Sequence, residues 1–230
     1  MYKFLQYNTD NLRHGNEYLQ KVFTGVDYAL LQRYPMSKKS ELTGLIDGRV
    51  YIDASTGHKK DALGVVVARH KRMNPFSGQT TIELPSKTHV NAIEDVWQGS
   101  VATLTKVGNV NLCSVLPCFN FPGEFPLTND DTLKDIEFLL EELKDSKNII
   151  AGDFHNTPGS FGKLDELIQD YGYMSYLDDY KTFANGDKNI NLDRLISNVT
   201  DLIIDDIKVY DDVETERGHF AITYNLEFDK

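Results

Sequence analysis

The run Tyr2 to Asn8 mixes apolar and polar residues at a period of two, which predicts a strand, and Asn8-Thr9-Asp10-Asn11 lies exposed at its end. From Asn16 to Phe23 the spacing becomes helical, with Tyr18, Leu19, Val22 and Phe23 on one face. Val26 to Gln32 is short and apolar and reads as a buried strand. Arg33-Tyr34-Pro35 is expected to end it, because proline stops regular structure. The order is strand, helix, strand, with polar residues at both strand exits.

The middle of the chain holds five β-prone runs: Arg49 to Asp53, Ala62 to Arg69, Thr80 to Leu84, Val101 to Val107 and Val110 to Leu116. Gly108-Asn109 fits a two-residue hairpin turn between the last two. A helix is predicted from Asn129-Asp130-Asp131, a cap with an acidic first turn, and the stripe Leu133, Ile136, Leu139, Leu140 and Leu143. It leads into Ile149-Ile150-Ala151-Gly152-Asp153-Phe154-His155-Asn156-Thr157-Pro158, an apolar run delivering a carboxylate and an imidazole into a turn. Phe161, Leu164, Leu167, Ile168 and Tyr171 then repeat at helical spacing, with Gly172 as a stop. Leu192 to Ser197, Leu202 to Tyr210 and His219 to Phe228 close the chain as strands. Many strands with a few amphipathic helices predict an α/β or α+β sandwich, two sheets packed face to face and covered by helices. Without an internal repeat or long linker, residues 1–230 are expected to form one domain.

Composition narrows the function classes. With 40% hydrophobic and 11% aromatic residues the chain can bury one sizeable core. No apolar run of about 18 residues is present, and the N-terminus does not read as a cleaved signal, so a soluble protein of the cytoplasm is expected, with no membrane partner. Cys113 and Cys118 are too few for a disulfide framework or an all-Cys zinc site. The net charge of −11 argues against a nucleic-acid binder that relies on phosphate neutralisation. The local exception is His58-Lys59-Lys60 with Arg69-His70-Lys71-Arg72, two clusters that meet if the segment between them is a hairpin strand. Arg69, Lys71 and Arg72 would then line a phosphate-binding rim; the plainer reading is solvated strand ends.

Five segments in chain order carry a resemblance: Asn8, Gln32-Arg33, Gly152-Asp153-Phe154-His155, Leu192-Asp193-Arg194 and Arg217-Gly218-His219. Together they resemble the endonuclease/exonuclease/phosphatase superfamily, the metal-dependent DNase I-like fold. The resemblance implies a four-layer α/β/β/α sandwich of two mixed sheets. It implies a divalent metal, Mg²⁺ or Mn²⁺, held with the help of Asn8, Asp153 and an acidic residue after Gln32. It makes Asp153 the group that orients water, the residue at 155 a donor to phosphoryl oxygens, and Asp193 with His219 a carboxylate–imidazole pair facing the phosphate.

The departures are as informative as the matches. Arg33 stands where the acidic ligand is expected, and a guanidinium repels a cation; the alternative is a surface loop arginine. His155 replaces an asparagine, either as a donor or as a turn cap, with Asn156 a substitute if the turn is reshaped. Gly218 replaces an acidic residue beside His219, and the Asp193–His219 pair could persist as structure alone. The strand end Cys113 to Asn120 lacks the His or Tyr expected there; Cys118 faces substrate or is a small buried side chain. Three readings follow. The first is an eroded site with no metal that binds a protein partner or phosphorylated ligand, Arg33 and Asn156 touching the ligand. The second is a divergent phosphodiesterase, nuclease or phosphatase using Asp153, His155, Asp193, His219 and Asn8 with Mg²⁺, Mn²⁺ or Zn²⁺. The third and weakest is a nucleic-acid-binding module.

Overall fold

The computed structural model describes residues 1–9, 12–46, 48–54, 63–91, 96–117, 129–154, 161–185, 188–212 and 217–229. The first third runs β1 (Tyr2–Asn8), α1 (Gly15–Val22), β2 (Tyr28–Pro35), a 3-10 turn (Met36–Lys38), α2 (Lys39–Leu45), β3 (Val50–Ala54) and β4 (Leu63–Arg69). It continues through β5 (Ser77–Asn91), β6 (Val96–Val107), β7 (Val110–Leu116), α3 (Asn129–Leu143), β8 (Lys147–Asp153) and α4 (Phe161–Asp170). The last third is β9 (Met174–Ser175), β10 (Phe183–Asn185), β11 (Lys188–Ile190), β12 (Asp193–Ser197), β13 (Ile203–Tyr210), β14 (Arg217–His219) and β15 (Ala221–Glu227).

These strands make two six-stranded mixed sheets, ordered β13-β15-β1-β2-β4-β3 and β5-β6-β7-β8-β12-β9, and a small sheet β11-β10-β14. The parallel pairs are β1 with β2 and β7 with β8. Alternation along the strands sorts side chains into layers. Phe4, Tyr28, Leu30 and Val67 of the first sheet meet Leu112, Ile149, Ala151 and Leu195 of the second. On its other face the first sheet packs Leu5, Tyr7, Ala29 and Leu31 against Tyr18, Leu19 and Val22 of α1 and Leu42 and Leu45 of α2. The second sheet packs Cys113, Val115, Ile150 and Ile196 against α3 (Ile136, Leu139, Leu140) and α4 (Leu164, Ile168). The four layers are α/β/β/α, as the resemblance implies.

The same period places the polar ends. Phe4 and Ile149 face the space between the sheets, so Asn8, four residues on, and Asp153, also four on, face it too. Both reach that space as their strands leave the apolar core.

Several expectations change. The expected strand 26–32 runs on through Pro35, because the register shifts between Leu31 and Tyr34, after which Tyr34 and Pro35 pair with Gly64 and Leu63. Arg33 sits in that shift with φ 51. The run 80–84 lies within the longer β5 and 101–107 is the end of β6, a pair whose register shifts break the two-residue period. The closing strand divides: His219 ends β14, which pairs with β10, and β15 starts at Ala221. Helix α2 and strands β9 to β11 had no clear periodicity because they are short. The 108–109 turn forms as expected, with Gly108 at φ 65 and Val107 facing Val110.

Gly152 is set by contact with a neighbouring strand. It lies beside Val115 in the parallel β7–β8 pair, and a Cβ there would stand 2.5 Å from Val115 Cγ1 and 2.6 Å from Val115 O. Strand separation cannot widen locally without moving Asp153. Gly152→Ala is expected to cost about 1–3 kcal/mol of stability by overpacking, read as a lower urea midpoint. A wild-type midpoint in that variant would show that the strands separate freely.

Candidate active site

Four strands from three sheets converge on one hydrogen-bonded chain. Asn8 Nδ2 donates to Asp153 Oδ2 at 2.8 Å and faces His219 Nε2 at 3.2 Å. His219 Nδ1 lies 2.8 Å from Asp193 Oδ2, and its Nε2 lies 3.4 Å from Asp153 Oδ2. Asn8 and Asp153 are 0% exposed, and Asp193 and His219 are 1% exposed. Asp193 and Asp153 are direct cross-strand partners in the β12–β8 pair, which fixes the carboxylates on one face. His219 is held edge-on by Phe183 at 4.7 Å, and its carbonyl faces His14 Nε2 at 3.0 Å.

Burial opposes the positive charge of His219, but Asp193 and Asp153 together outweigh it and raise the imidazole above its ordinary value. Burial also pushes the Asp193 carboxyl up, against the pull of His219. Asp193 Oδ2 on the Nδ1 side and Asp153 Oδ2 on the Nε2 side are the groups that favour the charged ring. The ligand atoms of Asp153, Asp193 and His219 lie within 4.8 Å of one another.

Arg33 adds a charge of the other sign. Its guanidinium acts on His219, lowering the imidazole's proton affinity against the two carboxylates. Its left-handed backbone costs a non-glycine residue about 1–3 kcal/mol. Thr9 holds the bulge: its N–H donates to Gln32 O and its Oγ1 to Arg33 O, each at 2.8 Å. Gly218 has φ 154, and a Cβ on it would stand 3.2 Å from Arg13 Cδ.

The sequence-based candidates divide by place. Asn8, Asp153, Asp193 and His219 come together, and Arg33 flanks them. His155 and Asn156 lie outside the described residues, as do Cys118 and His58 to Lys60. Arg69, Lys71 and Arg72 are elsewhere. Arg69 pairs with Tyr28, which pairs with Phe4, four positions from Asn8 and roughly 13 Å away along the sheet. There Arg69 donates to Met73 O and lies 5.5 Å over the Phe76 ring, Arg72 pairs with Asp27, and Lys71 is exposed.

Sequence reasoning passed over the residues that join the sheets beneath the site. Gln6 Nε2 donates to Arg194 O at 2.9 Å and contacts Gly152 O at 3.4 Å, the carbonyls beside Asp193 and Asp153. Gln32 Nε2 donates to Ser114 Oγ at 3.0 Å. Their signal was available: each is a polar residue on an inward position of a buried strand. Thr182, 0% exposed, receives the N–H of Asp193 on Oγ1 and that of Phe220 on its carbonyl. It sits in an irregular segment, where period gives no signal.

This architecture has solved counterparts. The chain superposes on an endonuclease/exonuclease/phosphatase family protein from Bacteroides thetaiotaomicron with a TM-score of 0.70 and 14% identity, covering 100% of this chain and 98% of that one. The fold is that of the endonuclease/exonuclease/phosphatase family. Two phosphatases share the DNase I-like fold with TM-scores of 0.71. Mannosyl-6-phosphatase Bt3783 from Bacteroides thetaiotaomicron VPI-5482 is 13% identical over 99% of this chain and 100% of that one. The 3′ phosphatase NExo from Neisseria, bound to a product DNA hairpin, is 15% identical over 100% of both. No family model and no curated protein matches the sequence. Among the described residues no helix is long and apolar enough to cross a membrane.

The dyad has a measurable consequence. With its folded pKa above 6.5, His219 contributes stability that is complete below pH 6.5 and is lost as pH rises through the folded value. NMR titration of the ring should place the His219 midpoint above 6.5, and Asp193→Asn should lower it. A midpoint below 6.5 in the wild type would mean that burial outweighs the carboxylates.

Proposed function

We propose that this chain binds a phosphorylated ligand at the Asn8–Asp153–His219–Asp193 site and that metal-dependent phosphoester hydrolysis there is eroded. One observation carries the reading. The Arg33 guanidinium acts on His219 from the strand exit where the resemblance expects an acidic metal ligand. An arginine at that place favours an anion and disfavours a cation.

The donor set fits Mg²⁺ poorly. That ion takes near-octahedral oxygen coordination. Here Asp153 Oδ2 already serves Asn8 and His219, both imidazole nitrogens face carboxylates, and residue 218 has no side chain. The positive groups of the site, an imidazole whose proton affinity is raised and the Arg33 guanidinium acting on it, suit a phosphoryl ligand better than a cation. Each missing stabilising group costs hydrolysis about 10²–10³ in rate.

A second reading, a working phosphatase or nuclease, is favoured by the convergence of Asp153, Asp193 and His219 within 4.8 Å. Two carboxylates and an imidazole suit Mn²⁺ or Zn²⁺ better than Mg²⁺, and the two named phosphatases share this fold. In that reading Asp153 orients water, His219 and Asn8 face the phosphate, and His155 donates to it.

Calorimetry with Mg²⁺, Mn²⁺ and Zn²⁺, joined to a turnover assay on p-nitrophenyl and bis-p-nitrophenyl phosphate, separates the two. The expected result is no metal binding at millimolar concentration and no turnover above background, with Arg33→Glu gaining metal affinity. Metal-dependent turnover by the wild type, abolished in Asp153→Asn, would establish the second reading instead.

A further inference from the structure

We infer that Gln6 and Gln32 are positioning residues that grip β8 from its two edges, directly below Asp153, and hold its carboxylate within reach of Asn8. The inference goes beyond the function proposed above, because a binding site and a hydrolytic one both need that placement.

Phe4, Gln6 and Asn8 share the inward face of β1, and Leu30 and Gln32 that of β2. Gln6 pairs with Leu30 and Asn8 with Gln32, so the two amides sit on adjacent strands, offset by one two-residue step. Both glutamines are 0% exposed. A buried amide without partners costs free energy that an apolar side chain at the same position does not. Each of these two finds its partners on the opposite sheet.

The contacts fall on either side of one strand. Gln6 Nε2 donates to Arg194 O of β12 at 2.9 Å and contacts Gly152 O of β8 at 3.4 Å. Arg194 and Gly152 face each other in the β8–β12 pair, next to the facing Asp193 and Asp153. Gln32 Nε2 donates to Ser114 Oγ of β7 at 3.0 Å and contacts Ala151 O of β8 at 3.4 Å. Ala151 and Gly152 are consecutive, so their carbonyls point to opposite edges of β8, one toward β7 and one toward β12. The strand carrying Asp153 is thus held at both edges from the first sheet.

The glutamines are themselves held. The Tyr224 hydroxyl of β15 contacts Gln6 Oε1 at 3.4 Å. Ser114 Oγ donates to Leu31 O at 2.9 Å, which leaves its lone pairs for Gln32. The Gln32 carbonyl accepts the N–H of Thr9, the residue after Asn8, at 2.8 Å.

Apolar contact between the sheets is non-directional and sets their offset along the strands only loosely. Hydrogen bonds from side chain to backbone prefer a narrow range of length and angle. Those of Gln6 and Gln32 therefore fix β1 and β2 over β8, and with them the 2.8 Å bond from Asn8 Nδ2 to Asp153 Oδ2.

Hydrogen exchange of the Asn8 side-chain amide, followed by nitrogen-15 NMR on the free protein, reads that bond whatever the site binds. In Gln6→Leu and Gln32→Leu the Asn8 Nδ2 protons should exchange at least about tenfold faster than in the wild type. Tyr224→Phe and Ser114→Ala each remove one hydroxyl that a glutamine contacts, and should give a smaller acceleration. Ile149→Val removes a methyl group from the same strand and the same apolar layer. It should lower the urea midpoint and leave Asn8 exchange unchanged. If a leucine variant does not fold, the hydroxyl variants decide by the same signal. Wild-type exchange in every glutamine and hydroxyl variant that folds would overturn the clamp. So would an acceleration in Ile149→Val as large as theirs for the same loss of stability, since the effect would then belong to stability alone.

Discussion

The site depends on one buried carboxylate. Asp153 is 0% exposed, and a charge in that position persists only if paired and hydrogen-bonded. Asn8 supplies one bond from the first sheet and His219 the ionic partner from the small sheet, while β12 places Asp193 across from Asp153. Breaking one of these leaves a charge uncompensated, at about 3–5 kcal/mol for a buried pair. The relative position of the two large sheets at this end is therefore fixed by electrostatics as much as by the apolar layer between them. Gly152 belongs to the same requirement: only a residue without a side chain lets β8 lie close enough to β7 to hold Asp153 where Asn8 can reach it.

Two buried arginines fasten the fold from inside. Arg49 is 5% exposed and donates to three carbonyls, those of Phe23, Val26 and Ile46, at the ends of α1 and α2. Arg194 is 2% exposed and holds Asp165 of α4 and Asp178. Both work as internal fasteners whose donors are directed into the fold. Arg33 differs in being nearer to solvent and in acting on a histidine that already faces two carboxylates. Arg49 uses both terminal nitrogens of its planar fork, which a lysine cannot reproduce.

Most of the layer structure was legible in the sequence, and for a physical reason. The long strands β1, β7, β8 and β15 and the helices α1, α3 and α4 bury one face or both, so their period survives in the residue pattern. Asn8 and Asp153 were legible because each ends an apolar run, whereas Asp193 and His219 were found through the resemblance of Leu192-Asp193-Arg194 and Arg217-Gly218-His219. What escaped was set by pairing partners far away in the chain. Pro35 stays in β2 because Leu63 lies opposite it; β9 to β11 are two or three residues long; and His219 belongs to β14 because Phe183 of β10 faces it. Gln6, Gln32 and Thr182 were missed because a lone polar residue in a buried run looks the same whether it is tolerated or required.

Fold and reaction separate at the residues that carry charge. The apolar layers tolerate wide sequence change provided volume and period are kept, which is how architecture persists at 13–15% identity with the two phosphatases. Charge has no such latitude, since one guanidinium in place of a carboxylate changes the local balance by two units at the centre of a site. In the proposed reading the arginine at this strand exit is held by the backbone. Arg33 occupies a left-handed position held by Thr9, and Gly218 adopts a φ that L side chains rarely take, with the Arg13 stem against it. A side chain at 218 would therefore meet both strain and the Arg13 stem. In the function proposed above, the charge that Arg33 brings is thus set by the local fold as well as by the side chain, and it favours a ligand that is itself an anion.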